Sequence, residues 1–109
     1  MPSEQERLNG EGALNMKPTP ILFLDLDGTV RYNGKKPGSF IHTPDEVEIY
    51  DGVVDIIKSY KARGWRIVSI SNQGGIALGY VDENTVSRNM METNRMCANL
   101  FDRMFWCTH

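Results

Sequence analysis

The sequence predicts an α/β fold built on a parallel sheet, and three observations carry that prediction. A short apolar run, Ile21 to Leu24, is bounded upstream by Pro18 and Pro20 and downstream by Gly28, as a buried strand would be. A second apolar and β-rich run, Trp65 to Ile70, reads as another strand. Between them Val53, Val54, Ile56, Ile57 and Tyr60 recur at helical spacing. Strand, helix, strand in that order is a right-handed parallel crossover, and strands of such sheets are expected to be covered on both faces.

Taken in order, Met1 to Thr19 is polar and carries Gly10 and Gly12, so it is expected to be a flexible tail ahead of a domain spanning residues 20–109. The first strand then delivers Asp25 and Asp27 to its carboxyl end, which is where ligands bind in parallel α/β sheets. Two carboxylates at i and i+2 repel unless a proton or cation lies between them. Magnesium, which takes one or two carboxylates together with water and phosphate oxygens, would relieve that conflict. A calcium loop would need glycine at position six and glutamate at position twelve, whereas Gly28 falls at four and Lys36 at twelve. The bland alternative is that the two aspartates only cap a turn.

Residues 31–50 hold Asn33-Gly34, Pro37-Gly38 and Pro44, all turn punctuation, and are too many for a simple strand-to-helix connection. With Arg31, Lys35 and Lys36 the segment reads either as a positively charged lid or specificity element, or as a solvated hairpin with ordinary surface charges. Asp51 is expected to cap the first helix, and Gly64 to stop it. The second strand runs into Ser71-Asn72-Gln73-Gly74-Gly75-Ile76, placing a hydroxyl and an amide beside the aspartates, where they and freed backbone N–H groups can meet phosphate oxygens. A second helix is expected from an Asp82 cap to about Leu100, with Val86, Met90, Thr93, Cys97 and Leu100 on one face. Arg103 to Trp106 begins a third strand, and the chain closes on Cys107-Thr108-His109. Two of the four ligands of a zinc site are present there, and a free cysteine is as readily a small buried hydrophobe.

Composition sets limits. At 109 residues there is room for one domain and not for two, and 40% hydrophobic with 24% charged residues is ordinary for a globular protein. A net charge of -2 supplies no broad basic field for nucleic acid. Two cysteines, Cys97 and Cys107, make no disulfide framework and suit a reducing compartment, so a cytoplasmic location is expected. No apolar run is long enough to span a bilayer, so no membrane partner is expected.

The pattern Asp25-Leu26-Asp27-Gly28-Thr29 after an apolar strand resembles the first motif of the haloacid dehalogenase superfamily of phosphohydrolases. The resemblance implies a Rossmann-like parallel sheet with flanking helices. It also implies a magnesium-dependent phosphomonoesterase in which Asp25 is the nucleophile and Asp27 the acid/base, with Asp25 and the Asp27 backbone carbonyl holding Mg²⁺. Ser71-Asn72-Gln73 followed by Gly-Gly-Ile-Ala-Leu-Gly-Tyr resembles the second motif of the branch containing histidinol-phosphate and heptose-bisphosphate phosphatases. Ser71 would then bind the phosphoryl group and Asn72 would hold it, the substrate being a small phosphorylated metabolite of sugar-phosphate or histidinol-phosphate type. In heptose-bisphosphate phosphatases a zinc loop opens with Cys-x-His at the position of Cys107 and His109. The superfamily's lysine and later acidic motifs have no place in the sequence, so the C-terminal half of the domain is expected to be missing and the isolated chain inactive. Two alternatives stand beside this reading. One is a polynucleotide 3'-phosphatase with Arg31 to Lys36 on the nucleic-acid backbone; the other is a non-catalytic module that binds phosphate or a partner chain through its sheet edge.

Overall fold

The computed structural model describes residues 18–74, 79 and 81–108. Three strands form a parallel sheet: β1 (Ile21–Leu24), β4 (Arg66–Asn72) and β5 (Arg103–Cys107), in the spatial order β1-β4-β5. Leu24 lies beside Ser69, and Ser71 beside Trp106, so the three carboxyl ends open on one edge. A separate antiparallel pair, β2 (Arg31–Asn33) and β3 (Val47–Ile49), stands next to that edge. Helices α1 (Val53–Ala62) and α2 (Glu83–Met96) complete the fold. The expected α/β class with a parallel sheet and flanking helices is therefore what the chain adopts. Most of the expected tail, residues 1–17, lies outside the described residues. No described helix is long and apolar enough to cross a membrane.

Burial alternates along β1 and β5, as the two-residue period requires, and along β4 except at Val68, which is buried between its neighbours. Leu22, Leu24, Ile67, Met104 and Trp106 face the helices and join Leu26, Ile57, Val86, Met90, Cys97 and Phe101 in the core. On the opposite face Ile21, Phe23, Ile70 and Phe105 are 42 to 59% exposed. The expectation that β1 and β4 are covered on both faces thus fails among the described residues. Both connections run the same way across the sheet, from β1 to β4 and from β4 to β5, and crossovers of one hand place both helices on the same side.

Several boundaries differ from expectation for local reasons. Asp51 does not cap α1; the cap is Gly52, at φ 87°, a backbone that glycine adopts without the steric cost a Cβ brings. Ile56 is 57% exposed, because the buried stripe of this helix passes through Ile57 and Tyr60 instead. Gly64 does end α1: its N–H bonds Lys61 O while the Trp65 N–H bonds Tyr60 O, the paired closure of a Schellman turn. Asp82 caps α2 as expected, accepting the Thr85 N–H at 2.7 Å, and this bond holds its carboxyl below the usual carboxylate range. The helix ends at Met96, four residues early, since Ala98 and Asn99 turn to φ 58° and 57° and the Asn94 side chain takes up the Phe101 N–H. Strand β4 runs two residues further than expected, to include Ser71 and Asn72.

Candidate active site

The loop after β1 is wound tightly on itself. Leu26 O accepts the N–H groups of Thr29, Val30 and Arg31, and Arg31 O accepts that of Gly28, whose φ of 87° lets the chain reverse. This turn buries Leu26 and Val30 in the core while leaving Asp25, Asp27 and Gly28 exposed at the sheet's carboxyl edge.

The two carboxylates stand in opposite surroundings. Asp27 is gripped: its Oδ1 accepts Arg31 Nε at 3.0 Å, and its Oδ2 accepts Arg31 Nη2 at 3.3 Å, Gln73 Nε2 at 3.2 Å and Ser71 Oγ at 3.3 Å. Gln73 Nε2 also donates to Ser71 Oγ at 2.6 Å. Asp25 is exposed and has no hydrogen-bond partner among the described residues. The Asp27 main-chain carbonyl likewise accepts no bond among them, because the turn's N–H groups converge on Leu26 and Arg31 instead. A free carboxylate beside a free carbonyl is a donor set that suits a hard cation such as magnesium.

A cleft of about 470 Å³ opens beside this edge. Asp27, Asn72 and Gln73 form its floor, and residues 31–50, which hold the β2–β3 pair, supply a wall with Tyr32, Phe40 and Tyr50. The Tyr32 and Tyr50 rings lie 4.6 Å apart, centroid to centroid. That wall is held from within by Asn33, which is buried: its Nδ2 donates to Phe40 O at 2.9 Å, and its Oδ1 accepts the Lys35 and Lys36 N–H groups. Residues 31–50 are therefore a hairpin, as one expectation had it, and that hairpin also bounds the cleft.

Ser71, Asn72, Asp25 and Asp27 thus come together at one edge. Ser71 is buried, and its hydroxyl donates to Asp27. Arg31 departs from expectation: read as part of a solvent-facing basic loop, it is 1% exposed and spent on Asp27, Thr93 and Asn89. Lys35 is exposed and paired with Asp45. The basic stretch expected to meet a nucleic-acid backbone is thereby reduced. Gln73 is the residue the sequence reading passed over, although it follows Ser69 and Ser71 at the two-residue period that marks one face of a strand.

The zinc expectation finds no support. Cys107 is exposed at the end of β5, His109 lies outside the described residues, and no group of three His, Cys, Asp or Glu side chains suited to a metal occurs among the described residues. Gly75 to Leu78 and Tyr80, the rest of the second motif, are also outside them.

A mixed fold with a parallel sheet, and an Asp-x-Asp-Gly-Thr loop at its carboxyl edge, defines a haloacid dehalogenase-like phosphatase fold. No protein-family model matches the chain. It is 38% identical over 91 residues to a probable D-glycero-D-manno-heptose-1,7-bisphosphate 7-phosphatase of Thermoplasma volcanium, a match covering 81% of this chain and 60% of that protein. It is 37% identical over 67 residues to the D-glycero-beta-D-manno-heptose-1,7-bisphosphate 7-phosphatase of Escherichia coli K12, covering 62% of this chain and 33% of that one. Among solved structures, the D,D-heptose 1.7-bisphosphate phosphatase of B. bronchiseptica, complexed with magnesium and phosphate, superposes with a TM-score of 0.73 at 28% identity, over 84% of this chain and 51% of that one. The chain is thus similar in sequence to these heptose-bisphosphate phosphatases, and its fold is haloacid dehalogenase-like. It spans about a third to three fifths of the length of the curated relatives it matches.

Proposed function

We propose that this chain carries the nucleophile and acid/base half of a magnesium-dependent phosphomonoesterase acting on a small sugar phosphate, heptose bisphosphate being the first candidate. The observation that carries the reading is the contrast between the aspartates: Asp25 exposed and unbonded among the described residues, Asp27 fixed by three side chains beside a cleft. The match to heptose-bisphosphate phosphatases supports the substrate class.

In this reading an Asp25 oxygen attacks phosphorus, the bond to the sugar oxygen breaks, and Asp27 gives that oxygen its proton. Asp27, now a carboxylate, takes a proton from a water whose oxygen attacks the aspartyl-phosphate, which releases phosphate and restores Asp25. Asn72, exposed at the cleft floor, donates its amide to phosphoryl oxygens. Ser71 acts beside it by holding Asp27 at the same edge. Bound to the Asp25 carboxylate and the Asp27 carbonyl, magnesium would neutralise part of the phosphate charge.

The test is phosphate release from heptose bisphosphate and other sugar phosphates by the full-length protein bearing this sequence, with and without magnesium. Asp25→Asn, which keeps volume and removes the nucleophile, should abolish turnover. Near-normal rates in that variant would sink the reading, and a folded protein without turnover would favour a binding module.

A further inference from the structure

We propose that Arg31 is the positioning residue for the proton-transfer group Asp27, and that it ties the orientation of this carboxylate to helix α2 through Thr93. The inference rests on the phosphatase reading above and adds to it what holds the acid/base carboxylate in place.

An arginine that is 1% exposed needs a reason, because burying a guanidinium is costly unless its donors are satisfied and its charge is paired. Its charge partner is a single carboxylate, Asp27, whose own side chain is 47% exposed. Arg31 Nε and Nη2 engage both Asp27 oxygens, a two-point contact that fixes the plane of the carboxylate as well as its distance. The remaining nitrogen, Nη1, points away from the site and donates to Thr93 Oγ1 at 2.7 Å and to Asn89 O at 3.5 Å. Thr93 Oγ1 in turn donates to Asn89 O at 2.7 Å, so its one proton is committed and its lone pair faces the arginine. Thr93 is fully buried, and Asn89 is 2% exposed. The anchor is therefore internal and rigid.

The two Asp27 oxygens are not equivalent. Oδ1 receives Arg31 Nε alone, and an arginine N–H cannot reverse its direction. Oδ2 receives Ser71 Oγ and Gln73 Nε2 at 3.2 to 3.3 Å, together with the longer arginine contact. Donors from β2, from β4 and from the residue after it thus converge on the one carboxylate, and the arginine is the one that reaches both of its oxygens. Asn89 strengthens the same frame by donating Nδ2 to Ile41 O, on the cleft wall, at 3.3 Å. One helix thus holds both the acid/base and the wall against which a substrate would lie.

The experiment compares kcat/KM of the full-length protein for an alkyl phosphate and for 4-nitrophenyl phosphate, because kcat/KM covers steps up to departure of the leaving group. An alkoxide needs a proton to leave and nitrophenolate scarcely does. Arg31→Lys keeps the charge and loses the planar fork. It should lower kcat/KM about 10²-fold on the alkyl substrate, the scale of a misplaced acid, and at least about tenfold less on the aryl one. Thr93→Val, which keeps shape and removes the hydroxyl anchor, should show the same asymmetry at about a tenth of the size. Equal losses on both substrates, or no loss, would overturn the inference, since a merely structural role lowers both rates together. If Arg31→Lys fails to fold, Thr93→Val decides alone. An inactive Asp25→Asn variant alongside equal losses removes the positioning role and keeps the phosphatase; turnover that survives Asp25→Asn, or none in the unaltered protein, removes both.

Discussion

The two faces of the three-stranded sheet carry similar apolar side chains and meet opposite surroundings. On one face Leu22, Leu24, Ile67, Met104 and Trp106 lie under α1 and α2; on the other Ile21, Phe23, Ile70 and Phe105 meet solvent around Val68, the one residue of that face its neighbours bury. The apolar runs are continuous because strands of a parallel sheet are built for a cover on each side, and the described residues supply one. Connectivity decides which. Two successive crossovers in one direction load both helices onto the same face, and a crossover in the other direction would be needed to place a helix of this sheet on the opposite one. The active edge lies at the boundary of these two regimes, and the side chains that grip Asp27 come from the covered side: Arg31, anchored in α2, and Ser71 and Gln73, which follow Ile67 and Ser69 at the two-residue period.

The sharpest way to break the comparison is to truncate one residue on each face. Ile67, which is 0% exposed, should lose about 2–5 kcal/mol of stability as Ile67→Ala, through lost burial and the cavity left behind. Urea unfolding of the chain measures this, and a cost below about 1 kcal/mol would mean that the core is not packed as described. Ranking second, Phe105→Ser on the other face, where the side chain is 48% exposed, should cost less than about 1 kcal/mol in the 109-residue chain and lower its tendency to aggregate. Repeating Phe105→Ser in the full-length protein sharpens the point. A rise toward about 3–5 kcal/mol, the range for a buried aromatic, would show that further chain covers this face.

What the sequence made legible follows the range of the interactions involved. The β1 run, the Asp-x-Asp-Gly-Thr loop, the Asp82 cap and the Gly64 stop are local, each decided within a few residues, and all were readable. The cap at Gly52 was missed because Asp51 offered a conventional side chain while the actual signal was a backbone angle. Arg31 was misread for a different reason. Four residues from Asp27 it forms a pair that sequence distance would allow, but its burial depends on Thr93, 62 residues away, and nothing near Arg31 announces that a helix will cover it. The exposed face was equally illegible, since an apolar strand records the cover it suits and not the cover it has.

The smallest expected effect tests how the covered face is closed at its far end, away from the active edge. Asp102 ends the turn before β5, and its Oδ2 accepts the Ile67 N–H at 2.7 Å while Lys61 Nζ reaches both carboxylate oxygens at 2.9 Å. The bond from Ile67, then that from Lys61, holds the carboxyl below its ordinary value. A group depressed in the folded state stabilises above its unfolded pKa, and that contribution is lost as pH falls through the folded value. Asp102→Asn removes the charge and keeps the shape, so at neutral pH it should lower stability by no more than about 1 kcal/mol, the side chain being partly exposed to solvent. The gap between the variant and the unaltered chain should then narrow as pH is lowered from the ordinary carboxylate range toward the depressed native value, because the unaltered chain loses by protonation what the variant lacks from the start. Melting temperatures recorded from pH 7 downward decide it. A gap that stays constant through that window would show that the Ile67 N–H needs only an oxygen there and that the charge of Asp102 contributes nothing to closing the sheet.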